Sequence, residues 1–272
     1  MEDKSKPELV DTFYTATTGD EFLERYLVGH DHLYGHMKEF SIKRELDKLL
    51  GAGTWNKVKI LEVGAAGGIW TKYFLEKKAS VTCVDILEAA VEANKKMNPR
   101  AIHMVGDAVT IQLPDRFDLI FMKDILEHVI DDEGLLKNME KHLNYDGFIF
   151  VNTQNSFSLN YLIQGGYHRL VKKNKKWFGW DPTHVRFYNY FSLRKLLQKC
   201  ELKPNGWHGD YFFPYRLITE RFGGKRAEKK FLHLMEMLHL YNKFPLSITG
   251  WGIGVIASKR NKSKTSLDVL FV

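Results

Sequence analysis

The chain has 272 residues, 40 Lys and Arg against 33 Asp and Glu, a net charge of +7, 44% hydrophobic residues and two cysteines, Cys83 and Cys200. That length suits one large or two small domains, and the apolar fraction excludes a disordered or fibrous chain. No run approaches the roughly 18 apolar residues of a membrane span, the N-terminus is acidic and polar rather than signal-like, and two cysteines make no disulfide framework, so a reducing, cytoplasmic setting is expected.

Taken in order, a polar tail is followed by Thr18 and Glu21 as a capping box and by Phe22, Leu23, Tyr26 and Leu27 as an apolar stripe, which predict one helix. A second runs from about 32 to 50 and stops at Gly51-Ala52-Gly53. Residues 59–63 read as a buried strand breaking into the small-residue turn Gly64 to Gly68, then a helix, then a second strand closing on Asp85. A helix over 86–97 is stopped by Asn98-Pro99; a third strand spans 101–105 and ends at Gly106-Asp107-Ala108. Residues 117–122 form the fourth strand, 123–129 the loop after it, and Asp131 and Asp132 cap a helix over 133–143. A turn at 144–147 leads to a fifth strand over 148–152. The connection 153–190 is too long for a plain link and reads as a functional lid. A helix over 192–200, a sixth strand over 206–213, a helical insertion over 214–246, a seventh strand over 251–258 and a basic tail complete the chain.

This alternation implies an α/β doubly wound, mostly parallel sheet. The expected organisation is an N-terminal helical cap over 1–52, a core over 53–213 carrying the lid, the insertion over 214–246, and the last strand with its tail over 247–272. In such sheets ligands bind at the carboxyl ends of the strands; Glu62 stands there two residues before Gly64, and Asp85, about 20 residues on, places a carboxylate that can accept both ribose hydroxyls. A dinucleotide site wants G-x-G-x-x-G, but here the third residue from Gly64 is Ala66 and the sixth is Ile69.

What stands instead is Glu62-x-Gly64-x-Ala66-x-Gly68. It resembles the E/D-x-G-x-G-x-G first motif of class I S-adenosylmethionine-dependent methyltransferases, with Ala in the middle glycine place, where it restricts the backbone toward negative φ. The resemblance covers about 59–151 and, more loosely, reaches Cys200. The wording Phe117-Asp118-Leu119-Ile120 followed by Glu127-His128-Val129 is similar to the small-molecule branch that includes ubiquinone-pathway O-methyltransferases. Residues 181–188, DPTHVRFY, are similar to a segment that borders the acceptor pocket in sugar, polysaccharide and quinone methyltransferases.

The resemblance implies a Rossmann-like seven-stranded fold with helical lids and S-adenosyl-L-methionine as cofactor. It implies that Glu62, Gly64, Ala65, Ala66, Gly68, Asp85, Ile86, Asp107, Ala108 and Lys123 hold that cofactor, with Asp107 toward the adenine amino group. Tyr14, Asp181, Arg186 and Tyr188 are the expected contacts to the acceptor. A sulfonium methyl group needs alignment more than activation, but a hydroxyl acceptor must lose a proton, and His128 and His184 are the candidate bases.

The expected reaction is direct SN2 transfer to an oxygen of a small-molecule or sugar-type acceptor, with nitrogen as second choice. No metal site is expected: His32 and His36 share a helical face, but no H-E-x-x-H pattern accompanies them. The basic-aromatic run from Lys172 to Trp180 reads first as a lid, with nucleic acid, an anionic membrane surface or an acidic small substrate as other partners. Two competing readings are a non-catalytic or RNA-associated module and a nicotinamide-dependent oxidoreductase; the glycine spacing speaks against the latter.

Overall fold

A computed structural model describes residues 18–30, 33–175, 177–179, 181, 183–210, 234 and 243–260. Tyr14, most of the expected insertion and the basic tail lie outside the described residues. The elements are α1 (Gly19–His30), α2 (Leu33–Leu50), β1 (Lys59–Val63), α3 (Ile69–Glu76), β2 (Ser80–Asp85), α4 (Glu88–Met97), β3 (Ile102–Val105) and β4 (Phe117–Lys123). They continue with α5 (Asp132–Lys141), β5 (Leu143–Gln154), α6 (Leu159–Gly166), α7 (Tyr190–Lys199), β6 (Leu202–Asp210) and β7 (Gly252–Lys259).

The seven strands form one sheet in the order β3-β2-β1-β4-β5-β7-β6. β3, β2, β1, β4 and β5 run parallel, and β7 is antiparallel to both of its neighbours. Alternate strand residues serve opposite faces, and both faces are covered, as an α/β sheet requires. Leu61, Ile120, Ile149 and Val255 pack with Leu135 and Met139 of α5 and Leu193 and Leu197 of α7. Ile60, Phe121, Phe150 and Ile256 pack on the other face with Ile42 and Leu46 of α2 and Trp70 and Phe74 of α3. Phe22 and Tyr26 of α1 close over Ala90 and Ala93 of α4.

Local chemistry sets several boundaries. Asp131 caps α5 through a 2.8 Å bond from the Gly134 amide, and Thr18 accepts from the Glu21 amide at 3.3 Å at the start of α1. Helix α7 begins two residues before its expected start because Asn189 and Ser192 form a capping box. The turn expected at 144–147 is an irregularity within β5: Leu143 pairs with Phe117 and Phe148 with Leu119, so four residues stand opposite Asp118, whose carboxylate accepts from Asn144 at 2.7 Å. Strand β6 begins at Leu202, earlier than expected, because it lies at the sheet edge, where Pro204 need not supply an amide to a ladder. The long connection carries a helix of its own, α6, continued by a π-helical turn over Tyr167–Val171. Among the described residues no helix is long and apolar enough to cross a membrane.

Candidate functional site

A cavity of about 850 Å³ opens at the carboxyl ends of β1, β2 and β4. That volume lies within the range of about 300–1,000 Å³ of small-molecule sites. Its walls bring together, from the sequence expectation, Glu62, Gly64, Ala65, Ala66, Asp85, Ile86, Asp107, Ala108, Lys123, His128, Asp181 and His184. Gly68, Arg186 and Tyr188 are not part of the wall.

The first motif is held as a network rather than as a row of glycines. Glu62, at the end of β1, is buried, and its Oε2 accepts from the Thr71 hydroxyl at 2.6 Å. Thr71 accepts in turn from Asn94 on α4 at 2.9 Å, and Asn98 donates both to Asn94 and to the Gly68 carbonyl, each at 2.9 Å. Gly68 has φ +87°, and a Cβ on it would stand 2.2 Å from Asn94 Oδ1, so only glycine fits. Its place is the N-cap of α3, outside the cavity wall. Burial, the largest influence, pushes the Glu62 carboxyl up to about 8 against the Thr71 bond.

Asp85 binds the turn from the other side. Its Oδ2 accepts from the Ala66 amide at 2.9 Å and its Oδ1 from the Leu87 amide at 3.0 Å; burial raises its pKa against these bonds. Ala66 has φ +46°. The expected preference of alanine for negative φ is therefore overridden: the turn geometry demands the left-handed region, and the Asp85 bond holds Ala66 there. Asp107 closes an Asx turn by accepting from the Val109 amide at 2.9 Å, which sets Ala108 against the cavity. Tyr26 covers the loop, its ring lying where a Gly67 side chain would be, 2.2 Å from the Cβ position.

The opposite wall is the loop after β4. Asp124, at φ +55°, pairs with Lys38 of α2 and with Lys123 at 2.7 Å. Burial would raise its pKa, but the two ammonium groups hold it well below the usual carboxylate range. Glu127 accepts from Thr153 at 2.7 Å through Oε2; burial first, and then the Asp124 charge, lift its pKa to about 7.

Asp181 and Thr183 bring the lid to this loop. Thr183 donates its hydroxyl hydrogen to Asp181 Oδ1 at 2.5 Å, so its oxygen can only accept from His128 Nδ1, 3.0 Å away. This assignment puts the His128 proton on Nδ1 and leaves Nε2 as the basic nitrogen. Burial lowers the His128 pKa, with Asp181 opposing. Asp181 itself is held low by Thr183 against burial. The His184 ring meets His128 edge-on with centroids 4.7 Å apart, and burial followed by the His128 charge drives it down to about 4. Asp181 thus reaches His128 through Thr183, whereas its distance to His184 Nε2 is 3.7 Å.

Arg186 and Tyr188, off the cavity wall, are engaged within the fold. Arg186 ties Asp132 and the Ile130 carbonyl, each at 2.5 Å, and Tyr188, buried, donates to Asp132 at 2.6 Å. Both side chains are consumed in fastening the lid to α5. Sequence reasoning assigns no metal ligand, yet Glu127, His128 and His184 bring donor atoms within 4.8 Å of one another. Glu127 Oε1 and His184 Nδ1 are buried without a hydrogen-bond partner among the described residues.

A family model described as a methyltransferase domain matches residues 34–204. The ubiquinone biosynthesis O-methyltransferase of Idiomarina loihiensis is 26% identical over 170 residues, 58% of this chain and 67% of that one. The mitochondrial ubiquinone biosynthesis O-methyltransferase of Schizosaccharomyces pombe is 31% identical over 102 residues, 35% of this chain and 37% of that one. The chain therefore spans about two thirds of the first relative and little more than a third of the second. The crystal structure of an N-methyltransferase from Bradyrhizobium japonicum, in complex with S-adenosyl-L-homocysteine, shares the fold at 14% identity, with a TM-score of 0.53 over 89% of this chain and 98% of that one. With the family model spanning well over half of its length and the cavity set at the strand ends where the first motif lies, the chain belongs to the methyltransferase domain family and is an S-adenosylmethionine-dependent methyltransferase.

Proposed function

We propose that the chain moves the methyl group to an oxygen atom of a small-molecule acceptor, with His128 as the base. The observation that supports this reading most is the Asp181–Thr183–His128 chain on the wall of the same cavity that Glu62 and Asp85 line. Bound there, S-adenosylmethionine supplies an electrophilic methyl group on a sulfonium. Asp85 holds the ribose through the lone pairs its two amide bonds leave, and Asp107 with Ala108 flanks the adenine. Glu62 and the Gly64–Ala66 turn would receive the cationic end of the cofactor, whose charge favours ionised Glu62. His128 Nε2 would take the hydroxyl proton as the oxygen–carbon bond forms and the carbon–sulfur bond breaks, leaving S-adenosylhomocysteine, while Nδ1–H stays fixed on Thr183. His184, neutral at physiological pH, shapes the acceptor end without competing for the proton. The closeness of ubiquinone-pathway relatives favours oxygen over nitrogen. Two buried, free cysteines fit the reducing cytoplasm expected from the sequence.

Isothermal titration with S-adenosylmethionine, S-adenosylhomocysteine and NAD tests the cofactor, and a phenol, sugar and amine panel then tests the acceptor. Binding of the first two ligands alone, followed by turnover of hydroxyl acceptors that His128→Gln slows about a hundredfold or more, supports the proposal. Turnover of amines only would refute it. The unpartnered Glu127 and His184 atoms favour a second reading, in which a divalent cation at Glu127, His128 and His184 positions the acceptor oxygen. Activity lost to a chelator and restored by Mg²⁺ or Zn²⁺ would select it.

A further inference from the structure

Helix α6 and the π-helical turn after it are built inside out. The inner face is occupied by small and aromatic groups: Tyr161 lies 5.3 Å from Trp177, His168 stacks on Trp177 at 5.1 Å and 11°, and Gly165 sits against the same ring. The outer face carries Leu159, Leu162, Ile163, Tyr167, Leu170 and Val171, all exposed; Leu162 and Ile163 are 57% and 55% exposed, Leu170 and Val171 81% and 64%. Burying so much apolar surface is worth more than leaving it in water, so a face of this kind marks a partner.

The charge around it identifies that partner. Residues 147–180 contain no Asp or Glu but do contain Arg169, Lys172, Lys173, Lys175 and Lys176. Arg169, Lys172, Lys173 and Lys175 are exposed, and Lys172 also rides over the Tyr167 ring at 5.9 Å. Apolar residues flanked by cations fit the interface of an anionic bilayer, where the apolar side chains enter the acyl boundary and the lysines meet phosphate headgroups. A nucleic acid would want a row of exposed rings for stacking, but Trp177 is buried against Tyr161 and His168, and the exposed face, Tyr167 apart, is aliphatic. A second copy would set two basic clusters against each other. Tyr161 also meets Phe187 at 4.8 Å, and Phe187 meets His184 at 5.3 Å, so the exposed helix is in ring-to-ring contact with the cavity.

We infer that the exposed apolar face of residues 159–171, with Arg169, Lys172, Lys173 and Lys175 beside it, docks this protein on an anionic membrane surface. The inference stands apart from the identity of the methyl acceptor. It is tested by co-sedimenting the full chain with vesicles of phosphatidylcholine alone and of phosphatidylcholine mixed with phosphatidylglycerol. Binding to the anionic vesicles is expected to exceed binding to the neutral ones about tenfold or more. Combining Leu162→Gln, Ile163→Gln and Leu170→Gln, or Lys172→Glu, Lys173→Glu and Lys175→Glu, should each weaken it by about tenfold or more while S-adenosylhomocysteine affinity is unchanged. The inference is overturned if the unaltered chain stays in solution with both vesicles, or if the apolar variant sediments as well as the parent. It is equally overturned if that variant instead converts a dimer to a monomer in sedimentation velocity, which would assign the face to a second copy.

Discussion

The Lys38 ammonium of α2 is buried and pairs with the carboxylate of Asp124, the residue that follows β4 and leads into the loop carrying Glu127 and His128. The N-terminal helices and the site loop are therefore one electrostatic unit, even though the two residues are 86 positions apart. Replacing Lys38 by Met leaves Asp124 with Lys123 alone. The expected loss is about 3 kcal/mol, the low end for breaking a buried pair because one partner remains. Urea denaturation checks it, and adding Asp124→Asn should recover part of the loss; equal midpoints for parent and Lys38→Met would remove the pair from the stability of the fold.

Glu62 makes stability depend on pH in a direction opposite to that of an ordinary paired carboxylate. In the unfolded chain it ionises near its usual value, whereas in the fold it keeps its proton to about 8. Between those values the native state holds more protons, so this group's contribution to stability falls as pH rises from about 4.5 to 8. Glu62→Gln should accordingly gain on the parent over that window, by about a few kcal/mol at its upper end. Melting temperatures of both proteins from pH 5 to 8 give the difference, and parallel curves would contradict the assignment.

Ala66 occupies the left-handed region at a cost of about 1–2 kcal/mol relative to glycine, partly offset by the extra freedom glycine has in the unfolded chain. Ala66→Gly should raise stability by about 0.5–1 kcal/mol. Asp85→Ala should do the reverse, freeing the Ala66 amide and weakening S-adenosylhomocysteine binding by about 1–3 kcal/mol. Calorimetry of ligand binding beside thermal melts separates the two effects; undiminished affinity in Asp85→Ala would take Asp85 out of the binding site.

His128 is ready to accept a proton at neutral pH because burial lowers its pKa below the ordinary 6.5. Its rate dependence should be flat near pH 7 and fall as acid protonates Nε2. Thr183→Ala removes the group that fixes its tautomer and should lower kcat about tenfold or more, while Thr183→Ser, which keeps the hydroxyl, should restore it. A serine variant as slow as the alanine one would show that Thr183 acts through packing instead.

Arg186→Ala should change stability and not acceptor recognition. It opens the Asp132 and Ile130 contacts, worth about 1–3 kcal/mol together for a partly exposed charged pair discounted for screening. KM for the acceptor, measured where the variant is fully folded, should match the parent; a selective rise in KM would return Arg186 to the acceptor site.

What could be read from the sequence was local. Glu62, Gly64 and Asp85 declare themselves because strand, turn and helix follow one another within some twenty residues, and Asp131 declares itself because a cap acts three residues away. Asn98 is legible only as a helix stop; that its side chain reaches the Gly68 carbonyl, 30 positions back, depends on how α4 packs on α3. Thr183 sits in a wording that draws attention to His184, but the fold carries it to His128, 55 positions away. The bonds of Arg186 and Tyr188 to Asp132 are illegible for the complementary reason: beside a candidate base these residues read as substrate contacts, and only the fold brings Asp132 between them. The residues 144–147 have true turn chemistry, and the sheet absorbs it as a bulge because strand pairing resumes on the far side.

The place of β7, inserted antiparallel between β5 and β6, also orders events during synthesis. When the ribosome has finished β6, that strand has no partner yet among the described residues, and β5 presents a bare, apolar edge beside the completed parallel half. Only the emergence of residues 252–259 joins the two, so the nascent chain passes through an interval with an open sticky edge, and a ribosome stalled before that point leaves a species primed to aggregate.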